Sequence, residues 1–358
     1  MSRTAESKIP ELIIRNCLRV RDGEMVHICS WPHTTDLASK LAVQCFINGA
    51  VPLITLMTDE LLEETLTRAP LKSIRTVPEH QVAIANSVDA YIHISGPADP
   101  AVMGRVPGDR YRAFVEAGSK IGEALRRRRV REVNVHLGKI TRERAERYNL
   151  DYPAWREAIE DSLLVDYEEI RGLGERLSER LSKGGEVRLS TDQGTDLRFQ
   201  VDVGIIRLDD GVVSDDDVSR GFLSTNLPAG FLEVGPVDGS GDGAVIFDAP
   251  QLRVGKMIEG VRWVFNRGKL TSMTAERNEE VLRRMIDTRC PGGAVLSSLM
   301  IGLNPRMKPG FLFDEMCRGT VSVAVGAEKG VGAVTGVLHH PTLYIGGKKI
   351  IDGGAIAS

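Results

Sequence analysis

The texture of the chain changes at Lys183-Gly184-Gly185. Before it, short apolar runs alternate with stretches of helical period: MVHIC, Thr35 to Phe46, VPLITL, a helix beginning near Asp59, DAYIHI, a helix from about Asp109 to Arg129, and REVNVHL. Strands alternating with helices at this spacing predict an open α/β sheet with parallel pairing. After it, VRLST, LRFQV, AVIFD, KMIEG, VRWVF and KLTSM are separated by Gly, Asp and Asn turns. That pattern predicts a mainly antiparallel β domain, interrupted by a helix near Asn278 to Asp287 and closed by a final hairpin. The expected organisation is an α/β domain over residues 1–183 and a β domain over residues 184–358 that carries the active site. Tyr152 to Ser182, with the apolar stripe Leu163, Leu164, Tyr167 and Ile170, reads as a helical bridge between them.

Composition narrows the function classes. At 358 residues and 42% hydrophobic content the chain is long enough for two cores. A net charge of −3 argues against a generic polyanion partner. The dense block Arg126, Arg127, Arg128, Arg129 and Arg131 could meet phosphate, but it sits where a helix ends, and cations there complement the helix dipole. No nucleic-acid partner is therefore expected. Asp215, Asp216 and Asp217 read as a solvated turn. No apolar run approaches the roughly 20 residues that span a bilayer, so no membrane partner is expected either. MSRTAESKIPEL lacks the apolar core of a secretion signal, and a cytoplasmic location is the default expectation. Cys17, Cys29, Cys45, Cys290 and Cys317 show no CxxC spacing and read as reduced thiols. No GxGxxG follows the first strand, which argues against a dinucleotide site.

The most informative segment is NLPAGFLEVGPVDGSGDGAVIFD, Asn226 to Asp248. With STDQGTDLRFQV, MIGLNP, DEMCRGTVSVAVG and PTLYIGGKKIIDGG, in that order and spacing, it resembles the aminopeptidase T and S family of thermophilic-type metallo-aminopeptidases. Relatives with that fold include 2,5-dihydroxypyridine 5,6-dioxygenase, which also has an apolar segment after the turn. The resemblance implies an aminopeptidase T-like fold, a small-molecule substrate and a homodimer.

The metal site that the resemblance implies does not carry over. Its first glutamate falls on Phe231 and its second acid on Ser298, where the dioxygenase relatives place a histidine. The histidine of its GTVHIALG segment falls on Ser322, and its His-x-Asp pair on Ala333 and Thr335. Neutral hydroxyls are poor substitutes for carboxylate or imidazole donors. No metal cofactor is therefore expected at these positions; the alternative is Fe(II) held by displaced ligands.

Four residues are candidates for proton transfer. Asp238 and Asp242 flank Ser240 in a glycine-rich turn, where glycines admit a ligand closely. Turn chemistry alone also explains that composition. Glu233 shares strand parity with Phe231. His339, beside His340 and before Pro341, either titrates in a reaction or lines a strand end. Phe231, Ser240, Ser298, Asn304, Ser322, Thr335 and His340 form the expected substrate-facing set, an apolar pocket with scattered hydroxyls. For Ser298 and Ser322, packing of a small residue in a strand competes with a nucleophilic role, because no GxSxG elbow is present.

The expected activity is a metal-independent hydrolase that opens an amide or C–N bond of a small catabolic substrate, cyclic or open-chain. Two alternatives stand beside it: a non-haem Fe(II) ring-cleaving dioxygenase, and a noncatalytic small-molecule binder.

Overall fold

A computed structural model describes residues 8–327 and 332–357. In chain order the strands are β1 (Met25–Ser30), β2 (Val51–Leu56), β3 (Ala90–Ile94), β4 (Arg131–Val135), β5 (Glu186–Ser190), β6 (Asp196–Asp209), β7 (Ser224–Leu227) and β8 (Phe231–Pro236). There follow β9 (Asp242–Ile246), β10 (Gln251–Arg253), β11 (Lys256–Ile258), β12 (Arg262–Asn266), β13 (Lys269–Thr274), β14 (Val295–Gly302), β15 (Val321–Gly326), β16 (Val334–Leu338), β17 (Thr342–Ile345), β18 (Lys348–Asp352) and β19 (Ala355–Ile356).

The chain divides into two compact units, though not at Lys183. The first comprises Met1–Leu164 with Gly211–Pro228, the second Val165–Asp210 with Ala229–Ser358. The bridge read from the sequence is two helices broken at the unit boundary, Tyr152–Leu163 and Tyr167–Leu181. The second restarts where the Asp166 side chain accepts a hydrogen bond from Glu168 N. Its buried stripe of Ile170, Leu177 and Leu181 belongs to the core of the second unit, which is why the division precedes it.

In the first unit, β2-β1-β3-β4-β7 form a parallel sheet in that order. The helix α1 (Thr35–Ile47) packs on β1 and β2, and α2 (Asp59–Arg68) follows β2. The helix α3 (Gly108–Arg128) ends at the arginine block, where Arg129 adopts a left-handed cap. Asp215–Asp217 are not a loop: they form the first turn of the short helix Asp215–Arg220, capped by Ser214. Carboxylates are favourable at that end because unpaired N–H groups carry partial positive charge.

In the second unit, β8 pairs antiparallel with both β6 and β14, and β14-β13-β12-β9-β6 complete a closed circuit of strands. Strands β15 and β16 extend this sheet beyond β14, and β5, β17, β18 and β19 extend it beyond β6. Alternation decides the core. Leu232, Val234, Leu299, Ile301, Val321, Val323 and Val325 are fully buried in one apolar cluster. Phe231, Glu233, Ser298, Met300 and Ser322 alternate with them along the same strands.

At the end of β14, a Cβ on Gly302 would collide with the Cys317 carbonyl oxygen, so the turn carrying Cys317 lies directly over this strand. Gly302→Ala is expected to cost about 1–3 kcal/mol by overpacking. Gly118→Ala, on α3 with open space at its Cβ, is expected to gain roughly 0.5–1 kcal/mol. Urea denaturation of the two variants should move the midpoint in opposite directions.

Candidate active site

The register of the second unit lays the candidate residues out in rows. In one row, Arg207, Glu233, Met300, Ser322 and Val337 lie opposite one another across β6, β8, β14, β15 and β16. In the next, Ser298, Ala324 and Thr335 are aligned. In a third, Asp209, Phe231 and Gly302 are aligned. Directly paired residues of adjacent strands project from the same face, and so do residues two apart on one strand. Phe231, Glu233, Ser298, Ser322 and Thr335 are thus brought onto one face, opposite the apolar core.

His339 follows β16 by one residue and continues the alternation of Thr335 and Val337. Its Nε2 lies 2.7 Å from Asp314 Oδ2, and its backbone N–H donates to Asp248 Oδ1 at 2.7 Å. Asp314 opens the short turn Asp314–Met316, which continues into the Cys317 segment covering Gly302. Because Gly302 shares its face with Ser298 and Met300, that turn lies over the candidate face, and His339 reaches it there. Phe313, immediately before Asp314, is buried with φ 82°, a left-handed conformation that a bulky residue holds only when its surroundings impose it.

Burial opposes charging of His339, but the Asp314 hydrogen bond and the negative charges of Asp314 and Asp248 outweigh it and raise its pKa above 6.5. Two polar atoms nearby are buried without a hydrogen-bond partner among the described residues: Asp314 Oδ1 and Ser322 Oγ. Leaving such a group unpaired costs about 1–3 kcal/mol.

Other predicted residues sit elsewhere. Asp238, Ser240 and Asp242 close the turn at the far end of β8 from Phe231. There Ser240 Oγ donates to Val237 O at 2.7 Å, and Asp242 Oδ1 accepts from Arg267 N at 2.9 Å. The strand runs six residues from Phe231 to Pro236, so its ends lie on the order of 17 Å apart at ~3.3 Å per step. The turn is therefore not brought together with the serine face. Asn304 is fully buried and anchors backbone: its Nδ2 donates to Ala229 O, and its Oδ1 accepts from Arg306 N and Met307 N. His340 is largely exposed beside Asp248.

Asp314, Arg207 and Asp209 were not singled out from the sequence. Asp314 lies within the DEMCRG string, whose pattern was visible while its partner, twenty-five residues on, was not.

The first unit holds a second polar cluster. Cys29, His93, Asn134 and Asn226 align across β1, β3, β4 and β7, with His27, Tyr91, Glu132 and Ser224 in the neighbouring row. Burial disfavours charge here, raising Glu132 to about 7 and lowering His93 and the adjacent His136. The alternation in DAYIHI and REVNVH was the signal, since parallel strands covered on both faces read as continuous apolar runs. A cavity of about 550 Å³ also opens in this unit beside α3, lined by Ile74, Phe114, Ile121 and Arg126 among others. None of the predicted site residues lines it.

Residues 4–141 and 157–328 match the family described as thermophilic metalloprotease (M29). The chain belongs to the M29 family. Its fold is similar to that of wild-type AmpT from Thermus thermophilus, with a TM-score of 0.76 and 19% identity over 100% of both chains. It is also similar to 2,5-dihydroxypyridine dioxygenase from Pseudomonas putida KT2440, with a TM-score of 0.58 and 12% identity over 99% of this chain and 96% of that one. No curated protein matches the sequence.

The M29 description implies a metal, and the five positions to which the resemblance assigns its ligands do not fit one. The positions to which the resemblance assigns ligands hold an aromatic ring, a methyl and three hydroxyls: Phe231, Ala333, Ser298, Ser322 and Thr335. Among the described residues no group of three or more His, Cys, Asp or Glu side chains is arranged to hold an ion. Divalent ions need several charged or imidazole donors together.

NMR titration should place the pKa of His339 above 6.5. In Asp314→Asn the upward pull is lost while burial remains, so the titration should move to lower pH.

Proposed function

We propose that this M29 protein is a metal-independent hydrolase that opens an amide or C–N bond of a small, uncharged cyclic substrate. The observation that carries the reading is the 2.7 Å His339–Asp314 hydrogen bond beside a face whose charged ligand positions have become hydroxyls and an aromatic ring. In its neutral form the imidazole donates Nε2–H to the Asp314 carboxylate, which fixes the tautomer and leaves Nδ1 as the base.

The reaction assigns each group a role. His339 Nδ1 takes a proton from water as the water oxygen attacks the carbonyl carbon. The Ser322 and Thr335 hydroxyls donate to the developing oxyanion. The imidazolium returns its proton to the leaving nitrogen as the C–N bond breaks. Phe231 offers a ring wall for stacking. Ser322 pairs with Val337 and is a diagonal neighbour of His339, within the ~7–8 Å that longer side chains bridge. Hydroxyls and an aromatic ring at the positions to which the resemblance assigns ligands suit a neutral substrate, whose polar groups they can hydrogen-bond and whose ring they can cover.

The test uses a panel of lactams and cyclic imides with the purified full chain. Turnover should survive chelation and should not rise on addition of Zn(II), Mn(II) or Fe(II). His339→Ala should lower kcat/KM about 10²- to 10⁴-fold. The rate should rise with pH through the elevated His339 pKa, because only the neutral imidazole accepts a proton, and Asp314→Asn should shift this limb to lower pH. Loss of turnover on chelation with recovery on reloading would reject metal independence. Saturable binding without turnover would leave a small-molecule binder.

A further inference from the structure

The arginine block closes α3 and opens β4, and four of its five members are engaged. Arg127 Nη2 donates to Asn86 Oδ1 at 2.8 Å, Arg129 Nη1 donates to Val218 O at 3.2 Å, Arg128 Nη2 lies 3.5 Å from Asp89 Oδ1, and Arg131 is paired with Glu24. Arg126 makes no side-chain hydrogen bond or ion pair among the described residues. Glu123 gives its carboxylate to Lys120 at 2.9 Å, and Glu132 feels the Arg126 charge without pairing to it. The Arg126 guanidinium is turned back along the helix, the direction that helical side chains take. Its Nη1 lies 3.4 Å from where a Cβ on Gly122 would stand. That puts the charge in the wall of the cavity beside α3.

The cavity has an apolar body. Along α3 its lining runs from Phe114 to Arg126, and Gly118 and Gly122 stand one turn apart within it. A Cβ on Gly118 would meet nothing within 4 Å. Glycine inside a helix is destabilising, and here it leaves room. The facing wall, between Thr65 and Gln81, contributes Ala69, Ile74 and Pro78. Two hydroxyls on the walls are already committed to their own helices: Ser119 Oγ donates to Glu116 O at 2.8 Å, and Thr76 Oγ1 donates to Lys72 O at 3.0 Å. Among the described residues that line the cavity, Arg126 alone is charged.

We propose that this cavity binds a linear monocarboxylate, with its alkyl chain along Gly118 and Gly122 and its carboxylate on Arg126. The guanidinium fork matches two carboxylate oxygens. From Phe114 to Gly122 the helix axis advances about 12 Å, the length of an extended chain of about eight to ten carbons. The volume of about 550 Å³ falls within the ~300–1,000 Å³ of small-molecule sites. A partner helix, ~10–12 Å across, would occupy roughly twice that volume over the same length.

The inference is independent of the proposed reaction, and His339→Ala should leave the binding unchanged. Calorimetric titration of the full chain with hexanoate, octanoate and decanoate is expected to show one saturable site, with affinity rising about threefold per methylene. Acetate should not bind, and 1-octanol should bind about tenfold more weakly than octanoate because it lacks the charge. Arg126→Gln should weaken octanoate about tenfold and leave 1-octanol unchanged. Gly118→Phe fills the cavity and should abolish binding of both. Absence of saturable binding overturns the inference, as does octanoate binding that survives either variant undiminished. Should Gly118→Phe lose its fold, the Arg126→Gln comparison decides: selective loss of octanoate supports the site, and equal loss of both ligands or no loss overturns it. Self-association that Gly118→Phe abolishes, without carboxylate binding by wild type, would give the cavity to a protein partner and overturn the inference.

Discussion

The candidate site depends on how β8 is held. Hydrogen-bonded to β6 on one side and β14 on the other, it has no free edge and a register fixed from both directions. Leu232 and Val234 are fully buried, so a slip of one residue would drive Phe231 and Glu233 into the core and lift the leucine and valine out. The hydrophobic effect thus fixes which side chains can meet a substrate. Ser298 and Ser322 on the next strands inherit the same choice, because Leu299, Ile301, Val321 and Val323 occupy the other face.

Local costs are concentrated around the turn above that face. Phe313 is held at positive φ, and among the described residues Asp314 keeps one carboxylate oxygen buried and unpaired, and Ser322 does the same with its hydroxyl. A fold under selection for stability alone would satisfy or remove such groups. A site that exchanges hydrogen bonds with a neutral ligand retains them, since donors and acceptors already paired within the protein have nothing to offer.

Much of the fold was legible in the sequence. The strands and helices of the first unit follow from apolar runs separated by helical periods, and the short strands of the second from their turn residues. The unit division was not legible, because Tyr167–Leu181 is helical by period and its allegiance depends on what buries Ile170 and Leu177. Strand parity grouped Phe231 with Glu233, and the strand register sets Ser298, Ser322 and Thr335 on the same face. Parity could not say that Ser240 and Asp242 spend their hydrogen bonds closing a turn, nor that Asp314 returns to His339. Those facts depend on contacts between residues distant in sequence, which local pattern does not encode. The aspartates at 215–217 failed for a different reason: a run of like charges reads as loop until the Ser214 cap is recognised.

The chain passes between the two units three times, after Leu164, Asp210 and Pro228. During synthesis this imposes an order of assembly. When Leu164 leaves the ribosome, the parallel sheet has four strands and β4 still lacks the neighbour it will find in β7. Roughly sixty residues, including β5 and β6, must emerge before that partner arrives, several seconds at ~5–20 residues per second. The nascent protein therefore carries an open sheet edge while the first hairpin of the other unit is already available. Neither unit is a contiguous piece of the sequence, so a single cut cannot separate them: a fragment beginning at Gly184 would leave Ile170, Leu177 and Leu181 behind and open the core they fill.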